Sequence, residues 1–137
     1  MDDVGSIVEQ LGLEPGTCGF MGPTYVGAHG AALYFLITPD RPGQVHQLDA
    51  DQVYHHYGGA PLDVVFLTAS GPQLHALGHF GDGGCGPQLI VPAGTVHGSR
   101  TRGPYTLACT TSFSAHRPEA TAATTEELAA VGALGFS

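Results

Sequence analysis

A chain of 137 residues can build one hydrophobic core and is too short for two. Its formal charge is −8 and its only basic side chains besides His are four Arg, so it lacks the footprint needed for nucleic acid or an anionic membrane surface. A small organic molecule, neutral or with one acid group, is the expected ligand.

The first predicted element is a helix over residues 4–13, where Val4, Ile7, Val8 and Leu11 share a face and Pro15-Gly16 follows as a stop. Residues 17–30 read as a loop. Residues 31–38 (AALYFLIT) read as a buried strand closed by Pro39-Asp40. Further strands are predicted over 44–48, 52–57, 62–69, 73–77, 88–91 and 105–111, each bounded by Gly, Pro or Asp. A second helix over 125–131 opens with capping-box spacing between Thr124 and Glu127. Short strands at intervals of about ten residues, with a helix at each end, predict a single all-β domain over 1–137 built as a small barrel or jelly roll.

Met1-Asp2-Asp3 has the wrong sign for a signal peptide, and no apolar run approaches the roughly 20 residues of a membrane span. Cys18, Cys85 and Cys109 are odd in number and widely spaced, so free thiols and a cytoplasmic location are expected. The segment GDGGCG, residues 81–86, reads as a flexible turn because no helix with Lys-Ser/Thr follows it.

Two stretches carry the chemistry: VHQLDADQVYHHYGG (45–59) and GPQLIVPAGTVHGSR (86–100). Gly86, Pro92, Gly94 and His97 resemble the second cupin signature, G-x5-P-x-G-x2-H, with Thr101 where an Asn usually stands. His46, Leu48, Gln52 and Gly59 hold the spacing of the first, H-x-H-x3-4-E-x6-G, with two of its three usual metal ligands changed. The chain is similar to the DUF985 subfamily of cupins across roughly residues 5 to 131. The stretches LGLEPGTCGFMGPTY (11–25), LYFLITP (33–39), HQLDADQVYHHYGGAPL (46–62) and IVPAGTVH (90–97) carry this likeness. The resemblance implies a cupin jelly-roll barrel with short terminal helices, and the expected partners are a small substrate and a second copy in a homodimer.

Against the family pattern, Glu becomes Gln52, Trp becomes Tyr54, Phe becomes His56 and Gln becomes His97, while Gly22-Pro23 replaces an Arg-Glu pair. If Gln52 keeps the inward position, strand alternation turns Tyr54 and His56 inward and His55 and Tyr57 outward. A β-bulge after Asp51 would exchange His55 for His56. The predicted catalytic set is therefore His46, Gln52, Tyr54, His56 and His97, with Leu48, Tyr34, Phe66 and Tyr105 as substrate contacts. His29, His75, His79 and His116 read as solvated.

Two His and one neutral amide are a thin shell for a metal, because a non-haem iron site normally has a carboxylate. Imidazoles and a phenol in a closed cavity suit proton transfer. The expected function is metal-independent acid–base or conformer-holding catalysis without a cofactor, of isomerase, epimerase, lyase or cyclase type, in natural-product biosynthesis. The alternatives are an oxygenase with Fe, Zn or Ni on His46, Gln52 and His97, and a non-catalytic binding protein.

Overall fold

A computed structural model describes residues 3–83, 85–114 and 119–137. His116, read above as solvated, lies outside them. The described residues form two short helices and two antiparallel sheets, which agrees with the all-β expectation.

Helix α1 (Asp3–Leu11) stops at Gly12, whose φ of 64° suits a residue without Cβ, so it ends before Pro15-Gly16 is reached. Strands β1 (Glu14–Pro15), β2 (Phe20–Gly27), β3 (Gly30–Ile37), β10 (Thr106–Phe113), β5 (Asp51–Gly59) and β8 (Gln88–Val91) form one sheet in that order. Strands β11 (Ala120–Ala122), β4 (Gly43–Leu48), β9 (Val96–Thr101), β6 (Leu62–Thr68) and β7 (Gly71–Leu77) form the other. Among the described residues, no helix is long and apolar enough to cross a membrane.

Two strands correct the sequence reading. Residues 17–30 are not simply a loop, since β2 pairs with β3 from Phe20 to Gly27. Gly and Pro hid it. Pro23 is tolerated because β1 pairs only with Phe20 and Met21, and a register shift between Pro23 and Tyr25 absorbs the break in the ladder. Residues 96–101 are likewise a strand, β9, although Gly98 and Ser99 disguise it. A Cβ on Gly98 would stand 2.7 Å from Val45 Cγ2, so close packing against β4 requires the glycine.

The core between the sheets holds Phe35, Ile37, Tyr54, Leu62, Val64, Leu77, Val91 and Ala108. A second cluster covers the outer side of the five-stranded sheet, where Val45, Val65 and Val96 meet Val131 and Phe136. Helix α2 (Thr125–Gly132) is held there by both halves of its capping box, with Thr124 Oγ1 accepting from the Glu127 N–H and Glu127 Oε1 accepting from the Thr124 N–H. Burial of a side chain such as Val131 or Phe136 contributes roughly 1.5–3 kcal/mol, and the Arg100 guanidinium lies over the Phe136 ring at 4.7 Å. The helix therefore closes one sheet and leaves the other's inner face free to shape a cavity.

Candidate functional site

The turn at Pro92-Ala93-Gly94-Thr95 joins the two sequence stretches. Gly94 has φ 76°, the conformation that the third position of a type II turn needs, and the Thr95 N–H donates to the Pro92 carbonyl. The Gly94 N–H donates to the Leu48 carbonyl, and the Ala93 N–H donates to Asp51 Oδ1 at 2.8 Å. The turn is thus tied to the β4–β5 connection. Directly beyond it, His97 on β9 lies opposite His46 on β4, and their rings sit 4.7 Å apart.

A cavity of about 650 Å³ opens between the sheets. His46, Leu48, Gln52 and Tyr54 line it, as do residues of β2, β3 and β10. Gln52 and Tyr54 share an inner face because β5 runs without a bulge from Asp51 to His56; the irregularity falls later, opposite Leu107 and Ala108. His55 therefore stays on the outer face, where Thr111 Oγ1 lies 3.2 Å from its Nε2.

Hydrogen bonds fix which ring nitrogens carry protons. A carbonyl can only accept, so His46 Nδ1 must donate to the Gln44 carbonyl at 2.7 Å, and Nε2 is the nitrogen left for the cavity. In the same way His97 Nδ1 donates to the Thr95 carbonyl at 2.8 Å. His97 is only 2% exposed, and burial, reinforced by nearby His46, pushes its pKa down to about 4 against the opposing pull of the Thr95 carbonyl. Its Nε2 is then an acceptor, and the Tyr54 hydroxyl donates to it at 3.0 Å. Burial first, then the neighbouring Cys18, raises the Tyr54 phenol well above its ordinary range. The Cys18 thiol, also in the cavity wall, is pushed up to about 12 by burial and stays protonated.

The remaining predicted residues lie elsewhere. His97 backs the cavity through His46 and Tyr54 without lining it. His56 faces inward but beyond the cavity: its Nε2 donates to the Ala60 carbonyl at 3.1 Å and its ring meets His79 at 4.6 Å. Tyr105 stands at that same end, beside Gly59 and Ala60. Phe66 points into the core and packs on the His75 ring at 4.3 Å, while Tyr34 lies on the outer face of β3, edge-on to Tyr57. His56 and Tyr105 are away from the cavity because it occupies the end of the interior near Gly30 and Ala31, Tyr34 because it faces outward, and Phe66 because it lies across β9 from His46. His75 is half-buried and its Nε2 is buried without a partner among the described residues, which corrects its reading as a solvated side chain.

Thr110 and Ser112 belong to the cavity wall and were not singled out in the sequence. The signal was present in TLACTTSF, where Thr106, Ala108, Thr110 and Ser112 alternate as small inward residues. Gln52 Nε2 donates to Thr110 Oγ1 at 3.1 Å, and Gln52 Oε1 is buried with no partner among the described residues. Turning the amide over would only exchange which end lacks one.

The donor set does not fit a three-ligand metal centre. Both nitrogens of His97 are engaged, Leu48 offers nothing, and Gln52 brings a neutral amide. Of the predicted ligands, His46 Nε2 and one end of Gln52 remain, among the described residues. Among the described residues, no three His, Cys, Asp or Glu side chains gather to hold a metal ion.

Comparison with known proteins agrees with the fold. A hypothetical protein from Leishmania major is 20% identical, with a TM-score of 0.78 over 98% of this chain and 94% of its own. A protein from Shewanella oneidensis is 21% identical, with a TM-score of 0.74 over 93% of this chain and 83% of its own. A cupin 2 conserved barrel domain protein from Rhodopseudomonas palustris is 15% identical, with a TM-score of 0.60 over 83% of this chain and 72% of its own. No curated protein matches the sequence. The model of the family described as Cupin superfamily (DUF985) matches residues 23–120, and the chain belongs to that family.

Proposed function

We propose that this cupin, built as a small jelly-roll barrel, is an enzyme that transfers protons on a small organic molecule without a metal. The observation that supports this is the state of His46. Its Nδ1 is committed to the Gln44 carbonyl, while Nε2 has no partner among the described residues and belongs to a side chain that lines the cavity. In the neutral ring, Nε2 carries a lone pair and can take a proton from a substrate C–H or O–H, then return it to another atom. This exchange is the core of isomerase, lyase and cyclase chemistry.

His97 and Tyr54 act as positioning residues in this reading. The buried His97 ring is neutral, so it packs against His46 without repelling the charge that His46 gains on protonation. The Tyr54 hydroxyl holds His97 in place, and the Phe35 ring at 5.0 Å holds Tyr54. Gln52 and Thr110 orient the substrate. A DMSP lyase from Ruegeria pomeroyi shares the fold at 18% identity, with a TM-score of 0.51 over 74% of this chain and 45% of its own. That likeness is one of fold, and the lyase option here rests on His46.

The test uses β-tetralone, an uncharged enolisable ketone, in D2O. Its α-protons should exchange faster with the protein than in buffer, and His46→Ala should remove the acceleration while EDTA leaves it intact. Exchange that survives His46→Ala would sink the assignment. Loss with EDTA and recovery with Fe(II) would favour the metal-dependent oxygenase. No acceleration by the wild type would favour a binding protein.

A further inference from the structure

The walls of the cavity also limit what can occupy it. This step rests on the proposed site for its location and not on its chemistry. Among the described residues that line the cavity, none is Asp, Glu, Lys or Arg. A ligand with a formal charge would lose its hydration there without meeting a fixed opposite charge, since the His46 ring carries one only after taking up a proton.

The polar groups are not scattered. On the six-stranded sheet, β2 and β3 present Met21, Pro23, Val26, Leu33 and Phe35 to the cavity, all apolar. The adjoining β10 and β5 present Thr110, Ser112 and Gln52, with Ser112 directly opposite Gln52 in register. Half of one wall is hydrocarbon and half carries hydrogen-bonding groups.

Gln52 gives the polar half its direction. It is 6% exposed, and one end of its amide has no partner among the described residues. Thr110 Oγ1 accepts from Gln52 Nε2 and keeps its own hydrogen to donate. A buried amide left short of one bond is costly unless a ligand completes it. A hydroxyl group would do so, since it can donate to Gln52 Oε1 and accept from Thr110.

We infer that the cavity binds an uncharged, largely apolar molecule of drug-like size, seated on the β2–β3 side and held by one hydroxyl group at Gln52 and Thr110. Neither Thr110 nor Ser112 has a part in the proton-transfer reading beyond orienting what binds.

Three probes with one carbon skeleton test this: β-naphthol, naphthalene and β-naphthoate, titrated into the full chain by ligand fluorescence. The expected order is β-naphthol tightest, naphthalene several-fold weaker, and β-naphthoate at least tenfold weaker than β-naphthol. Gln52→Leu should erase the margin of β-naphthol over naphthalene, and Thr110→Val should reduce it, with thermal unfolding confirming that each variant folds. Equal or tighter binding of β-naphthoate overturns the inference, as does binding of none of the three. A margin unchanged in both variants overturns the role of the polar wall. The ranking on the wild type decides the charge question even if a variant does not fold. It also needs no turnover, so failure of the tetralone exchange would leave it standing, and failure here would leave His46 to be judged by that exchange.

Discussion

The two ends of the interior both bury polar groups, but they treat them differently. At the end near Ala60, the Gly103 N–H donates to Thr101 Oγ1, which donates to Thr106 Oγ1, which in turn donates to the Ala60 carbonyl. His56 Nε2 donates to that same carbonyl, and Arg102 grips Asp63 through both Nε and a terminal nitrogen at 2.8 Å. At the Gly30 end, His46 Nε2 and one end of Gln52 have no hydrogen-bond partner among the described residues, and both residues line a cavity. A polar chain whose hydroxyls find partners builds the fold; His56 Nδ1 is also short of a bond there, but it does not line the cavity. Polar atoms short of a bond, with room for another molecule, are where chemistry can occur.

The sharpest way to break that contrast is to remove one histidine at each end. His46→Ala should cut β-tetralone exchange by about 100- to 10,000-fold, the usual contribution of a positioned acid–base group. His56→Ala should leave the exchange within a few-fold of wild type, because His56 stands outside the cavity. Equal losses in the two variants would show that the ends act as one unit.

The next effect is on stability, through His97. Its pKa in the folded chain is about 4 and its ordinary value is 6.5. As pH falls through 6.5, the unfolded chain takes up a proton that the folded chain still refuses, so stability declines until about pH 4 and then levels off. The loss should reach about 3 kcal/mol. His97→Gln should remove that slope, which urea unfolding across the interval can measure. A wild-type stability flat over the same range would mean that His97 is not held neutral.

Much of this was legible in the sequence, and the exceptions share a cause. Strand alternation placed Gln52 and Tyr54 on one inner face because β5 is regular over those residues. The Pro-Gly turn announced His97. Alternation could not tell how far along the strand the cavity extends, so His56 was grouped with Tyr54 although it lies two residues farther, at Ala60. Strands β2 and β9 were hidden by Gly and Pro, whose tolerance depends on neighbours distant in sequence: Val45 for Gly98, and the short reach of β1 for Pro23. Thr110 and Ser112 were readable as alternating small residues, but only the register with β5 brings them beside Gln52. Contacts between distant strands are what a local pattern omits.

Thr106→Val is a smaller perturbation of the bonded end. Thr106 has no exposure, and its hydroxyl links Thr101 to the Ala60 carbonyl. The valine matches its shape but leaves the Thr101 hydroxyl without its acceptor and the Ala60 carbonyl with His56 Nε2 alone, which should cost about 1–3 kcal/mol in urea unfolding. β-Naphthol affinity should not change, since Thr106 lies at the other end from Gly30.

Gln52→Leu should show the least effect on stability of these changes, for the opposite reason. The substitution removes the hydrogen bond from Nε2 to Thr110, a loss of about 0.5–1.5 kcal/mol. It also removes the buried, unpartnered Oε1, whose desolvation penalty is about 1–3 kcal/mol. The two terms oppose each other, so the variant should unfold within about 1 kcal/mol of wild type or be slightly more stable. A residue that adds nothing to stability yet sits 6% exposed in a cavity wall has another use. If Gln52→Leu instead destabilises the chain as much as Thr106→Val does, the amide belongs to the framework, and the distinction between the bonded and open ends fails at its most specific point.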